Sequence, residues 1–328
     1  MSSNKQKILV TGALGFLASN FIRKFTYENA PYIFVGVDKA TTPAALNNGY
    51  IHRDFKFHIA DLLDKHCIDR IFTYERPDII LHTASIDEFD AHIGKDVVGA
   101  LQNNIIGTQN IIDICANHKI KRLVFTSSED VYAGTNPNSD EGKVKQTTEI
   151  ADINPITYNG ISKVSQELLI KASANIHGLN YNIGRFCSLY GQRQAPNNFI
   201  PKIINCILNN SFIFLNGEGG AIKDWIYVSD ACNALMTLIE TKESGQIFNI
   251  TTNQDISNIE LIQKICKLLG RGMDLVKEEV LYQNNSKTDT ISMDAGKIKA
   301  LGWTSKIALP AGLEQVCIWY SKNQFFLK

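Results

Sequence analysis

The sequence predicts an α/β fold: a doubly wound parallel sheet with a smaller, discontinuous C-terminal lobe. Three observations carry that reading. Short apolar runs at residues 7–10, 32–37, 55–59, 77–85 and 122–128 alternate with stretches of helical periodicity, the pattern of strands joined by crossover helices. The first run turns into its helix through glycines, in Val10-Thr11-Gly12-Ala13-Leu14-Gly15-Phe16-Leu17-Ala18. Beyond Tyr190-Gly191 the regular alternation gives way to shorter elements separated by loops.

Lys7-Ile8-Leu9-Val10 reads as a buried strand, and Phe21, Ile22 and Phe25 mark the helix after it. A strand that turns on glycines into a helix offers backbone N–H groups and the positive end of a helix dipole to an anion. Gly12 permits the tight turn, Gly15 lets a pyrophosphate approach, and Ala18 is small enough for close helix–strand packing; Leu14, Phe16 and Leu17 complete the loop. The second strand ends at Asp38-Lys39. An acid there accepts hydrogen bonds from a ribose 2′-OH and repels a 2′-phosphate, which selects NAD over NADP.

A polar loop through Asn47-Asn48-Gly49 leads to the third strand, residues 55–59, then to Asp61-Leu62 and a helix over about 64–74. The fourth strand, 77–85, ends in Leu81-His82-Thr83-Ala84-Ser85, and a long helix from about 95 to 118 carries Asn104. The fifth, 122–128, runs through Thr126 to Ser128-Glu129-Asp130. Tyr158-Asn159-Gly160-Ile161-Ser162-Lys163 opens another helix, and 180–185 is a sixth strand ending in Arg185. Short elements follow at 198–201, 212–215, 223–228 and 247–250, and Ser257 with Glu260 forms a capping box for a helix over 257–269. The expected division is an NAD-binding unit over residues 1–185, to which about 225–250 returns, and a substrate lobe over 186–328. Ligands of such sheets sit at the carboxyl ends of the strands, so the loops after Val10, Val37, Ile59, Leu81 and Thr126 line one cleft.

The 328 residues carry a formal net charge of zero and 44% hydrophobic residues, enough for one large or two modest domains. That balance exerts no long-range pull on nucleic acid or acidic membranes. No apolar stretch is long enough to span a bilayer and Met1-Ser2-Ser3-Asn4-Lys5 has no signal-peptide pattern, which gives a cytoplasmic expectation. The seven cysteines are scattered through apolar patterns and read as reduced core thiols with no metal-ligand spacing.

Taken in order, the segments at 11–18, 61–62, 81–85, 104–108, 127–133, 162–163, 185–191, 198–201, 223–230 and 248–250 resemble one family over nearly the whole chain. It is the extended short-chain dehydrogenase/reductases that act on nucleotide sugars, whose fold is Rossmann-type. The resemblance implies that Asp61 and Leu62 hold the adenine, and that His82, Thr83 and Ala84 lie beside the cofactor phosphates and ribose. It implies that buried Asn104 braces the sheet and that Lys163 binds the nicotinamide ribose, with Thr126 and Arg185 completing the NAD side. Ser85, Ser188, Asn198, Phe199, Phe214, Lys223 and Asn249 fall on the nucleotide-sugar side. Ser188 stands where the family usually has Asn, and Lys223 where it has Arg, which turns a bidentate phosphate fork into a point charge.

Ser128-Glu129-Asp130 resembles the Thr-Asp-Glu run of the 4,6-dehydratases with the acids in swapped order. Paired carboxylates suit acid and base work, Glu129 as the acid at sugar C6 and Asp130 as the base at C5. The family also expects Tyr-x-x-x-Lys, but four residues before Lys163 stands Asn159. Tyr158 lies five back, about 140° around a helix. Either an irregular first turn brings Tyr158 round as the O4 base, or Asn159 replaces it and the O4 proton leaves by a route through Ser128 or water; some dehydratases acting on UDP-N-acetylglucosamine also lack this Tyr. A stretch at 285–293 that is Arg-containing in the dTDP-glucose enzymes reads Ser286-Lys287-Thr288-Asp289-Thr290-Ile291 here, which favours a UDP-sugar. The Asn-, Lys- and Ile-rich composition resembles giant-virus sugar enzymes, which would make the compartment a host cytoplasm.

The expected activity is an NAD-dependent nucleotide-sugar 4,6-dehydratase on a UDP-sugar such as UDP-N-acetylglucosamine, with inversion at C5 left open. The alternatives are a 4-epimerase, a catalytically weak sugar-nucleotide-binding protein, and dTDP-glucose or UDP-glucose as substrate. A homodimer is expected, because family members commonly pair through the helices holding Asn104 and Lys163. Ile105, Ile106, Ile111, Ile112 and Ile114 give the first of these apolar residues on more than one face.

Overall fold

The computed structural model describes residues 5–27, 30–41, 43–49, 55–86, 96–135, 146–216, 221–279 and 291–327. The strands are β1 (Gln6–Thr11), β2 (Tyr32–Asp38), β3 (Lys56–Ile59), β4 (Ile79–His82), β5 (Arg122–Ser128), β6 (Tyr181–Phe186), β7 (Ser188–Tyr190), β8 (Ile213–Asn216), β9 (Ile222–Tyr227), β10 (Gln246–Ile250), β11 (Asp255–Ser257) and β12 (Val276–Glu279). Seven of them form one parallel sheet in the order β10-β6-β5-β4-β1-β2-β3. Strand order reverses between β1 and β4, and connections leaving that point diverge to opposite sides, which opens a crevice at the carboxyl ends.

Helices cover both faces. Ile8 and Val10 of β1 face a core shared with α1 (Phe16–Phe25) and the later helix at Val228–Glu240, whereas Leu9 between them faces α3 (Lys65–Glu75) and the helix at Gly107–Asn117. This period-two alternation, apolar on both sides, is why the strands read as continuous hydrophobic runs. Between β2 and β3 the chain forms α2 (Pro43–Asn48), a correction to the polar loop expected through Asn47–Gly49. Pro43 at its first position and the following alanines favour a helical turn there.

The long helix expected from 95 to 118 is observed as α4 (Val97–Leu101), a π-helical turn at Gln102–Ile106, and α5 (Gly107–Asn117). The widened turn buries both Asn103 and Asn104, and such turns recur at functional sites. The fourth strand stops at His82, since Thr83 and Ala84 turn their polar groups onto Thr11 of β1. α6 (Tyr158–His177) begins regularly, Thr157 capping it through Gly160 N–H.

A second cluster holds α7 (Phe199–Leu208), α9 (Asn258–Leu268) and α11 (Leu309–Lys322) against the three-stranded β11-β9-β7 and two-stranded β12-β8 sheets. α8 (Val228–Glu240) and β10 pack with the large sheet, as does α10 (Gly296–Ala300). The capping box of Ser257 and Glu260 is formed. All seven cysteines are free: Cys67 and Cys206 are partly accessible, and Cys115, Cys187, Cys232, Cys266 and Cys317 are buried. Among the described residues no helix is long and apolar enough to cross a membrane, and no group of acidic, His and Cys side chains could hold a metal ion. The expected Arg-poor stretch at Ser286–Ile291 lies almost wholly outside the described residues.

Candidate active site

The glycine turn is built to bring two strand ends into contact. Gly12 has φ of 66°, and a Cβ there would lie 2.7 Å from the Cα of Ala84, so only glycine fits. Gly15 N–H closes the turn onto Gly12 C=O at 2.9 Å and heads α1, whose N-terminus no side chain caps. Phe16 and Leu17 occupy its first turn. Asp38 sits beside this turn: its carboxylate accepts from Leu14 N–H at 3.0 Å and Ala40 N–H at 2.9 Å. Lys39 pairs with Asp61 at 3.0 Å across the ends of β2 and β3. Leu62 is buried against Gly107 of α5.

Thr83 Oγ1 donates to Thr11 C=O at 2.7 Å, and the Ser85 hydroxyl is buried without a hydrogen-bond partner among the described residues. An orphaned hydroxyl, a glycine turn that admits no Cβ and an uncapped helix start, with Asp38 alongside, together fit a dinucleotide.

His82 ends β4, with its side chain committed to the protein. Its ring is fully buried, with Nδ1 2.6 Å from Thr11 Oγ1 and Nε2 2.8 Å from Thr108 Oγ1, so both nitrogens are used within the protein. Burial, reinforced by the Lys163 charge, pushes its pKa down to about 3, so it is neutral. Asn104 is likewise spent on the protein: it accepts from Ile86 N–H at 2.8 Å and donates to Ile86 C=O at 2.9 Å and to Ser162 Oγ at 3.2 Å. It is a brace between the end of β4 and α6.

Arg185 is a correction. Its guanidinium faces Glu167, Nε–Oε1 2.9 Å and Nη2–Oε2 2.6 Å, with both side chains almost fully buried, so it has no fork left for a cofactor. Asn249 is another. It is fully buried, donating to Thr147 C=O at 2.9 Å and accepting from Tyr132 Oη at 3.1 Å, and cannot reach a base or ribose.

The acid-bearing turn follows β5 directly. Ser128 caps a single 3₁₀ turn, Glu129–Tyr132, by accepting from Asp130 N–H at 3.2 Å. Glu129 is buried and accepts from Ser188 Oγ at 2.9 Å. Burial pushes its pKa up to about 8, against the charge of Lys223 and the Ser188 hydrogen bond, and with the help of Asp130 and Asp224. Asp130 is partly exposed and accepts from Asn159 Nδ2 at 2.6 Å. Gly160 makes that approach possible, since a Cβ on it would lie 2.6 Å from Asp130 C=O.

Tyr158, the first residue of the regular helix, is 53% exposed. No irregular turn brings it round to Lys163, and Asn159 is the residue of α6 that meets the acid turn; this corrects the expectation for Tyr158. Lys163 is buried and donates to Thr126 C=O at 3.0 Å, while Thr126 Oγ1 reaches His82 C=O at 3.4 Å.

Of the substrate-side residues, Ser188 meets Glu129, and Phe199 stacks on Trp225 with ring centroids 6.1 Å apart. Asn198 heads α7 and accepts from Gln194 at 3.3 Å, Lys223 is exposed beside the acid turn, and Phe214 is exposed. Sequence reasoning missed Asp224 and Glu167. Asp224 is buried and accepts from Thr251, Thr252, Asn253 and Gln254, which hold it ionised despite burial. Glu167 had a usable signal: it lies four residues after Lys163, on the same helical face.

Comparison with known proteins places this geometry. The model of the NAD dependent epimerase/dehydratase family matches residues 8–251, and the chain belongs to that family. NAD is the cofactor of that family. The chain is 30% identical to the low-salt glycan biosynthesis protein Agl12 of Haloferax volcanii, over 95% of this chain and 97% of that one. It is 27% identical to the human dTDP-D-glucose 4,6-dehydratase, over 97% of this chain and 91% of that one. Among solved structures, the UDP-glucose 4-epimerase of Thermotoga maritima with UDP-glucose superposes with a TM-score of 0.86 at 25% identity, covering 97% and 100% of the two chains.

Proposed function

We propose that this chain is a nucleotide-sugar 4,6-dehydratase acting on a UDP-hexose of the UDP-N-acetylglucosamine type. The observation that carries the reading is the contrast inside one turn. Glu129 is buried, with a pKa near that of a neutral-pH acid, and partly exposed Asp130 is held by an amide. Elimination of water between C5 and C6 needs this division, one carboxylate to take the C5 proton and one acid to protonate the departing C6 hydroxyl. When bound, NAD supplies a reversible hydride acceptor, so the overall reaction is redox-neutral.

In this reading the amides around Gly12 and Gly15 hold the pyrophosphate, Asp38 the adenosine ribose and Lys163 the other ribose. Asp130 takes the C5 proton and Glu129 gives its own to the C6 oxygen. Because Asn159 fills the slot four before Lys163, the partly exposed Ser128 hydroxyl relays the O4 proton, taking it as it passes its own to a water of the cleft. Asn159 keeps Asp130 aimed into the cleft. The lobe around Ser188, Phe199 and Lys223 takes the nucleotide diphosphate. The Arg-poor stretch at 286–291 favours UDP over dTDP.

Incubation with UDP-N-acetylglucosamine tests the reading: a 4-keto product absorbing in alkali is expected. A C4 epimer without keto sugar would replace it with the 4-epimerase reading, which the likeness to a UDP-glucose 4-epimerase favours. Binding without turnover would leave a sugar-nucleotide-binding protein. The assembly we propose is a homodimer through α4, the π-helical turn and α5 that follow it, and α6, where Val98, Ile106, Ile161 and Leu168 are exposed apolar residues. A monomeric mass at micromolar concentration would contradict it.

A further inference from the structure

The Arg185–Glu167 pair is the most deeply buried ion pair among the described residues, with side chains 2% and 1% exposed. A buried pair recovers in attraction roughly what it loses in desolvation, so an apolar pair of equal volume would stabilise the core as well. What an ion pair adds is direction. Here each direction leads to the same place.

Glu167 Oε1 also accepts from Ser127 Oγ at 2.6 Å, and Ser127 immediately precedes the cap residue Ser128. Arg185 Nη1 donates to the hydroxyl of Tyr132, whose ring lies 4.9 Å from the guanidinium carbon. Tyr132 is the last residue of the turn that carries Glu129 and Asp130. Its hydroxyl is further held toward Asn249 Oδ1 at 3.1 Å. The turn is therefore bracketed: its entry is tied to Glu167 and its exit to Arg185, and those two are tied to each other by two hydrogen bonds.

We propose that the Glu167–Arg185 pair is the positioning device of the acid turn, acting through Ser127 at one end and Tyr132 at the other. The proposal rests on the acid–base reading of Glu129 and Asp130. None of the four touches a reacting atom; they are positioning residues. Proton transfer tolerates little misplacement, since a shift of about 1 Å can cost on the order of a hundredfold in rate. A single four-residue turn has too few hydrogen bonds of its own to hold that precision. Without the bracket, Glu129 would also sample water, away from Ser188 on β7, Lys223 and Asp224 on β9 and its neighbour Asp130.

The test is Tyr132→Phe and Ser127→Ala, each of which deletes one oxygen and keeps the packing. Two readouts are needed. The first is kcat, KM and the pH profile on UDP-N-acetylglucosamine. The second is the protonated-carboxyl infrared band of Glu129 against pH, identified by its loss in Glu129→Gln, which needs no turnover. Each variant is expected to lose about ten- to a hundredfold in kcat with KM within about twofold, and to titrate Glu129 at lower pH than the wild type. The double variant is expected to lose little more than the worse single, because either release frees the turn. Unchanged kcat and an unmoved Glu129 titration in both variants, with only a lower melting temperature, would overturn the proposal and leave the pair a core element. Absence of turnover in the wild type would overturn the dehydratase reading instead, and the infrared comparison would still decide the positioning claim.

Discussion

Glu75 and Glu129 are both almost fully buried, at opposite ends of the same parallel sheet. Glu75 closes α3 below the starts of β1 and β3, where Lys7 reaches it at 2.9 Å, Lys56 at 3.6 Å and His58 at 3.0 Å. Burial pulls its pKa up, but the hydrogen bonds from Lys7 and His58 and the charges of Lys7 and Lys56 outweigh that, and it lies below the ordinary carboxylate value. Glu129, above the end of β5, has a serine within hydrogen-bond distance and Lys223 only as a more distant charge, and its pKa rises to about 8. Two carboxylates that solvent hardly reaches thus shift in opposite directions, Glu129 being the more deeply enclosed and Glu75 the one met by cations. Depth of enclosure and placed cations together separate a residue that serves the fold from one equipped to move a proton.

Replacing Glu129 by Gln should break the comparison most severely. Activity should fall by about a hundredfold or more as the general acid disappears. Stability should move the other way. Because its folded pKa is raised, Glu129 favours the fold fully below its unfolded pKa, and that advantage is lost as pH rises through about 8. The Gln variant should therefore melt higher than the wild type at about pH 9 and converge with it near pH 5. A variant less stable at both would show that Glu129 is ionised in the fold.

Asp130→Asn should be nearly as damaging to turnover, about a hundredfold or more, but with a different signature. It removes the base and leaves the acid, so the reduced-cofactor absorbance should build up with substrate while no keto-deoxy product forms. Wild-type turnover would remove the main support for the dehydratase reading.

Glu75→Gln should do the reverse of both: kcat unchanged, and stability at neutral pH lower by about 1–3 kcal/mol, since its cationic partners are partly solvated. Its folded pKa is lowered, so its contribution is present above the unfolded carboxyl pKa and lost as pH falls through the folded one. Urea melts of the two proteins should converge in acid. The smallest effect on kcat is expected for Lys223→Ala, which should raise KM by weakening the diphosphate contact and also removes an exposed charge that lowers the Glu129 pKa. The limb of the pH profile set by Glu129 should move up by less than about one unit; a downward move would mean that Lys223 acts on Asp130 or Asp224 instead.

The sheet was legible because its physics is local. Continuous apolar runs, glycine at the first crossover and an acid at the end of the second strand all appear within short windows of sequence, and the observed strands keep that order. The acid turn was legible as Ser128-Glu129-Asp130, since both carboxylates are contiguous. What a linear reading could not show was where polar side chains spend their hydrogen bonds. His82, Arg185 and Asn249 carry chemistry-bearing groups, yet each is consumed by partners 18 to 117 residues away, Thr108, Glu167 and Tyr132 among them. Tyr158 failed for the opposite reason. Its fate depended on one residue of helical phase, and the Thr157 cap fixed that phase so that Asn159 faces the turn.

The distribution of thiols has a practical consequence. Burial raises the pKa of Cys115, Cys187, Cys232, Cys266 and Cys317, which starves them of the thiolate that alkylating reagents attack. Cys67 on α3 and Cys206 on α7 remain partly accessible, one over the large sheet and the other in the smaller lobe; burial raises the Cys206 thiol as well, against the charge of Lys202, so Cys206 labels the more readily at alkaline pH. The unaltered chain thus carries its own pair of attachment points for spin labels. A dipolar distance measured between them, with and without a sugar nucleotide, reads the separation of the two halves directly, with no cysteine introduced and none removed.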